Sequence, residues 1–234
     1  MLYLNIAARP NQNHRTDDMP ISTILLYVVI VFAVLVAIAL VWRLYSHRQS
    51  LPCPAWLGWM VEMDNPVLRS NRSSVIISHL ELLPGMKVLD LGCGPGRLSI
   101  PLAKQLGSDG EVVAADVQPE MLQRVIAKAE TAGIGNIRYL EIRAESGDLG
   151  SNEYDRALLV TVLGEIPDKA YVLTSIFEAL KPGGILSITE AVADPHFLSR
   201  KTVRQLATDA GFMECGFWGH RFAYNIHFRR PKVN

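Results

Sequence analysis

Apolar and polar positions divide this chain into stretches of different kinds. Residues 1–20 are mixed, with Arg9 and Arg15 set against Asp17 and Asp18. From Ile21 to Trp42 the sequence reads ISTILLYVVIVFAVLVAIALVW, without a charge, a glycine or a proline. At about 1.5 Å per residue this run predicts a helix of roughly 33 Å, enough to cross a hydrocarbon core of about 30 Å. A buried core helix would show a polar face, and the run has none. A signal peptide would begin with a basic segment and have a shorter apolar region, so an uncleaved anchor over residues 21–42 is the favoured reading. The small residues Ala37 and Ala39 offer a weak cleavage site, but Leu40, Val41 and Trp42 continue the apolar run beyond it. Arg43, Arg48, Arg69 and Arg72 follow the span and favour a cytoplasmic position for what comes next.

Residues 43–70 are a connector marked by Pro52, Pro54, Trp56 and Trp59; tryptophan close to a span suits a membrane interface. The pattern then changes to short apolar runs alternating with amphipathic ones. Helices are predicted over residues 71–83, 97–106, 119–132, 168–180 and 199–210, separated by turn signals such as Pro84-Gly85 and Lys181-Pro-Gly-Gly. Strands are predicted over 88–91, 111–116, 137–142, 154–162 and 185–190, with a terminal antiparallel pair over 211–218 and 224–230. Strands alternating with helices predict an α/β fold, a doubly wound and mostly parallel seven-stranded sheet preceded by one transmembrane helix.

Composition narrows the function. The chain has 234 residues and 49% hydrophobic content, enough for one domain of ordinary size and a short extension. Lys+Arg and Asp+Glu are both 23, so no net positive charge points to a nucleic acid. Cys53, Cys93 and Cys215 lie far apart with no histidine at ligand spacing, which predicts a reduced compartment and no metal site.

The stretch with the most chemistry is Val88 to Arg97, VLDLGCGPGR. In a doubly wound sheet ligands sit beyond the carboxyl ends of the strands, so this first loop is the place to look. Its glycines, Gly92, Gly94 and Gly96, alternate as GxGxG, whereas a dinucleotide fingerprint needs GxGxxG and a Walker loop needs GK[ST]. Asp90 precedes the loop. A carboxylate about 4 Å from a diphosphate charge would cost about 4 kcal/mol at an effective dielectric near 20, and a cationic ligand would gain as much. S-adenosylmethionine, with its ammonium and sulfonium, suits the loop better than a nicotinamide dinucleotide.

LDLGCGPGR resembles motif I of the class I S-adenosylmethionine-dependent methyltransferases, and the spacing of its partners is similar to that of the ubiquinone/menaquinone C-methyltransferase-like group. The resemblance covers residues 71–234 and implies a Rossmann-like methyltransferase domain. It implies that Asp90, Gly92 and Gly94 hold the methionine part of the cofactor, with Gly96 also among the cofactor-binding residues. Asp116, closing EVVAAD, matches the acidic residue that takes both ribose hydroxyls, and Val117 and Met121 would line the adenine. Relatives often carry an aspartate after the third strand where this chain has Arg143, which offers no acceptor to the adenine amino group. The Ala144 backbone and the Glu145 side chain are the substitutes.

Methyl transfer needs mainly alignment, and a base only where the acceptor must lose a proton. LGEIPD after the fourth strand brings Glu165 and Asp168 to the mouth, and TEAVADPHF after the fifth brings Glu190, Asp194 and His196. Glu165 and His196 are the candidate bases. Asp168 reads better as a helix N-cap, and Cys93 as a small packed side chain. The chain is therefore expected to be a membrane-anchored methyltransferase acting on a small or lipid acceptor. The rival expectation is a membrane protein that binds S-adenosylmethionine without turnover.

Overall fold

The computed structural model describes residues 20–49, 62, 69–144 and 147–232. The chain divides into two units, Met1–Trp42 and Arg43–Asn234. All of the expected tail over residues 1–20 except Pro20, and the connector residues Trp56 and Trp59, lie outside the described residues.

Helix α1 (Ile21–Gln49), which starts in the first unit and continues past Trp42, begins after Pro20, whose carbonyl accepts the N–H of Thr23 at 2.8 Å. Proline at a helix start sacrifices no intrahelical bond. The window Ile21–Ile38 has a mean hydropathy of 3.0 and buries nothing within the protein. The helix runs seven residues past the predicted end at Trp42, because neither glycine nor proline occurs before Pro52 to stop it.

The second unit is built on a seven-stranded sheet in the order β3-β2-β1-β4-β5-β7-β6. The strands are β1 (Lys87–Leu91), β2 (Glu111–Asp116), β3 (Ile137–Glu141), β4 (Tyr154–Val160), β5 (Leu180–Ala191), β6 (Met213–His220) and β7 (Ala223–Arg229). The first five pair in parallel, while β7 inserts antiparallel between β5 and β6. This is the predicted fold class. Strand residues alternate between two cores, as the period of two requires. Leu89, Leu91, Leu159, Ile188 and Ile226 pack on one face, with α5 (Lys169–Ala179) and α6 (Arg200–Asp209). Val88, Val112, Ala114 and Leu158 pack on the other, with α2 (Ser73–His79), α3 (Ser99–Leu106) and α4 (Pro119–Thr131).

Two boundaries differ from the sequence pattern for identifiable reasons. The helix predicted over 71–83 is divided into a 3-10 turn, Arg69–Asn71, and α2. Buried Arg156 of β4 caps the end of α2, donating to the carbonyls of Leu80 (2.6 Å) and Glu81 (3.1 Å), and Glu81 turns away at φ 50°. Strand β5 starts at Leu180, five residues before the predicted 185, because Leu180 pairs with Tyr154 across a bulge in the β4 register. The Lys-Pro-Gly-Gly turn signal thus lies inside the strand.

Candidate active site

The strand order reverses between β1 and β4, so the loops leaving β1, β2, β4 and β5 meet beyond one edge of the sheet. The β1 loop needs its glycines. Gly92, Gly94 and Gly96 all have positive φ, at 74°, 53° and 84°, a region costly for residues with a side chain. A Cβ on Gly92 would lie 2.5 Å from Cγ2 of Val162, and one on Gly96 would lie 3.1 Å from Cγ1 of Val125. At these two positions the missing side chain makes room for protein.

Asp90 lies one residue inside the end of β1, because Leu91 completes the strand. The sequence suggests a carboxylate at the mouth, whereas in the fold Asp90 is only 3% exposed and accepts the hydroxyl of Ser99, the first residue of α3, at 2.6 Å. Burial raises its pKa to about 6, against the lowering effects of the Ser99 hydroxyl and of Arg97. The group is mainly ionised at neutral pH.

Asp116 ends β2 and ties two loops together. Its Oδ2 accepts the Gly94 N–H at 2.8 Å and its Oδ1 accepts the Gln118 N–H at 2.9 Å. Burial moves its pKa upward, and the backbone donors of Gln118, Gly94 and Val117 counter this. An ionised carboxylate has about four lone-pair sites, so capacity for a hydroxyl remains. Val117 is half-buried and Met121, on α4, is buried. Ala144 packs against the first core, while Glu145 lies outside the described residues.

On the acceptor side, Glu165 and His196 come together from different loops, with Glu165 Oε1 3.8 Å from His196 Nδ1. Asp194 Oδ1 stands 3.8 Å from the same nitrogen. His196 is 4% exposed. Burial drives the Glu165 pKa up to about 8, reinforced by the charges of Asp194, Asp116 and Glu190. Glu190 reaches about 8 chiefly through burial as well. Asp168 is the N-cap of α5, accepting the Tyr171 N–H at 2.9 Å. Cys93 is buried and its thiol is pushed up by that burial, as suits a packed side chain.

Sequence reading missed Thr161. It follows β4 with φ 55°, an uncommon conformation for a β-branched residue, and its N–H donates to the Thr189 carbonyl at 2.8 Å. The turn places Val162 against Gly92. β-branching favours extended backbone, so the pattern extended β4 through Thr161 and Val162.

The sheet order, with Asp90 near the end of β1 and Asp116 at the end of β2, suits the class I S-adenosylmethionine-dependent methyltransferase fold. Residues 82–222 match the family described as "Methyltransferase domain", and the chain belongs to that family. It is 39% identical over 119 residues to the ubiquinone/menaquinone biosynthesis C-methyltransferase UbiE of Shewanella sp. (strain ANA-3), covering 50% of this chain and 47% of that protein. The chain thus spans about half the length of the curated relatives it matches. Among solved structures, a SAM-dependent methyltransferase from Aquifex aeolicus superposes with a TM-score of 0.68 at 22% identity, over 76% of this chain and 99% of that one. The Haemonchus contortus phosphoethanolamine N-methyltransferase 2, solved with S-adenosyl-L-methionine, gives 0.60 at 15% identity, over 69% and 53%. These two likenesses concern the fold. The resemblance to the ubiquinone/menaquinone C-methyltransferase-like group holds at the level of sequence.

Proposed function

We propose that this chain is an S-adenosylmethionine-dependent methyltransferase, tethered to a membrane by residues 21–42 with its catalytic domain on the cytoplasmic side. Its acceptor is small and lipophilic, of the quinone-precursor kind named for its Shewanella relatives. The observation that carries the reading is Asp90, a buried carboxyl group at the base of the glycine loop that accepts the Ser99 hydroxyl. In a low-dielectric surrounding its ionised form favours a cation and opposes a diphosphate.

Asp90, Gly92, Gly94 and Gly96 would hold the methionine part of the cofactor and Asp116 its ribose, with Val117, Met121 and Ala144 on the adenine side. When bound, S-adenosylmethionine supplies an electrophilic methyl group on a sulfonium. The protein's task is then to align an acceptor with it and to exclude water. Where the acceptor must lose a proton, the ionised form of Glu165 takes it; with a pKa raised to about 8 that form is a stronger base than an ordinary carboxylate and becomes the main one only above that pH. His196, with Nδ1 3.8 Å from that carboxyl group, is the second candidate base. The tether is supported by the uncharged run and by a helix long enough to span. It keeps the domain beside acceptors dissolved in the bilayer, which raises their effective concentration.

Labelled S-adenosylmethionine mixed with the full chain in vesicles carrying a short-chain demethylated quinol tests the activity. Transfer of label into the quinol is expected. Cofactor binding with no labelled product, there or in a membrane extract, would favour the non-catalytic reading. The full chain should also float with the vesicles after an alkaline carbonate wash, and its release would contradict the tether.

A further inference from the structure

The loop that carries His196 is held from beneath. Leu198, two residues on, has both backbone groups bound by side chains of neighbouring strands. Its N–H donates to Glu190 Oε2 at 3.0 Å, and its carbonyl accepts the Tyr224 hydroxyl at 2.7 Å. Glu190 on β5 and Tyr224 on β7 are register partners in the sheet, and both are essentially fully buried. The Tyr224 ring is fixed in turn between Phe197, edge-on at 6.2 Å, and Phe217, stacked at 6.0 Å.

The rest of the loop is equally constrained. Val192 N–H donates to the Phe222 carbonyl at 2.7 Å, Asp194 N–H to Ala191 at 2.9 Å, and His196 N–H to Asp194 Oδ1 at 2.6 Å. Gly164 presses from the β4 side, where a Cβ would stand 2.0 Å from the His196 carbonyl oxygen. The two loops therefore touch backbone to backbone, one residue before Glu165.

We propose that Glu190 and Tyr224 are positioning residues that clamp Leu198 and thereby hold His196 between Glu165 and Asp194. The proposal rests on the reading of Glu165 and His196 as the acceptor-side pair. Glu190 Oε1 is buried without a hydrogen-bond partner, so only Oε2 holds Leu198. Burial raises the Glu190 pKa to about 8, while the Leu198 N–H favours the ionised form.

Amide hydrogen exchange on the full chain in detergent at pH 7 tests this without an acceptor. Leu198 and His196 should be protected in the native chain and lose roughly tenfold or more of that protection in Glu190→Ala. Glu190→Gln keeps a carbonyl acceptor for Leu198, so it should stay protected. Tyr224→Phe leaves the strand packing in place and tests the second half of the clamp if Glu190→Ala fails to fold. In the quinol assay, Glu190→Ala and Tyr224→Phe should lower kcat about tenfold with cofactor affinity within about twofold, and Glu190→Gln should restore kcat. Native-like protection of Leu198 in both Glu190→Ala and Tyr224→Phe, or equal kcat losses in Glu190→Gln and Glu190→Ala, would overturn the clamp. If the native chain transfers no methyl group, the activity reading fails, and the exchange data still decide the clamp.

Discussion

Glu165 is the residue whose substitution separates chemistry from binding. Replacing it with glutamine should lower kcat by about 10–100-fold while the affinity for S-adenosylmethionine stays within about twofold, measured by label transfer and calorimetry. Because the base is its ionised form and its pKa is about 8, kcat/KM should rise with pH through that value and flatten in Glu165→Gln. The identity of such residues was legible because LGEIPD and TEAVADPHF follow apolar runs, which end at the sheet edge. Their environment was not legible. The exposed or buried state of Asp90 depends on Ser99 folding back nine residues later, and the 3.8 Å approach of Glu165 to His196 depends on Gly164 meeting a loop more than thirty residues distant. No local pattern encodes either.

At the scale of elements, the glycine loop and the turn after β4 form one packed unit. Gly92→Ala should destabilise the domain by about 2 kcal/mol or more, from a Cβ overlapping Val162 and from positive φ. Adding Val162→Ala should recover the steric part alone, so a double-mutant cycle in urea should show favourable coupling. Purely additive losses would mean that the two loops do not meet. The N-cap of α5 gives a smaller effect: Asp168→Ala should cost about 1 kcal/mol with kcat unchanged. Most elements were readable from periodicity and caps. The misplaced boundaries, at α2 and β5, were set by a buried arginine and by strand register, which are tertiary facts. Thr161 went unread because its residue type argues for the conformation it does not adopt.

For the whole molecule, buried ionisable groups shape stability against pH. Glu165 and Glu190 have folded pKa values of about 8 and Asp90 about 6, all above the ordinary carboxylate value. The folded state then holds more protons than the unfolded state between about 4.5 and 8. Their contribution is therefore full at low pH and is lost as pH rises through that window, at up to about 1.4 kcal/mol per unit for each group. His227, buried and lowered to about 4, acts in the opposite sense between about 4 and its ordinary 6.5. One histidine only partly offsets the carboxyl groups, so urea midpoints of the full chain across pH 4–9 should be highest at the acid end and fall towards pH 8. The double variant Glu165→Gln/Glu190→Gln should flatten the alkaline side. The central claim is that a buried carboxylate beneath a glycine bend selects a cationic nucleoside, and titration calorimetry on the native chain and Asp90→Asn tests it most directly. S-adenosylmethionine should bind the native protein and NAD should not, with binding weakened about tenfold or more in Asp90→Asn, which keeps a partner for Ser99. Tight NAD binding, or the same S-adenosylmethionine affinity in both proteins, would contradict the account.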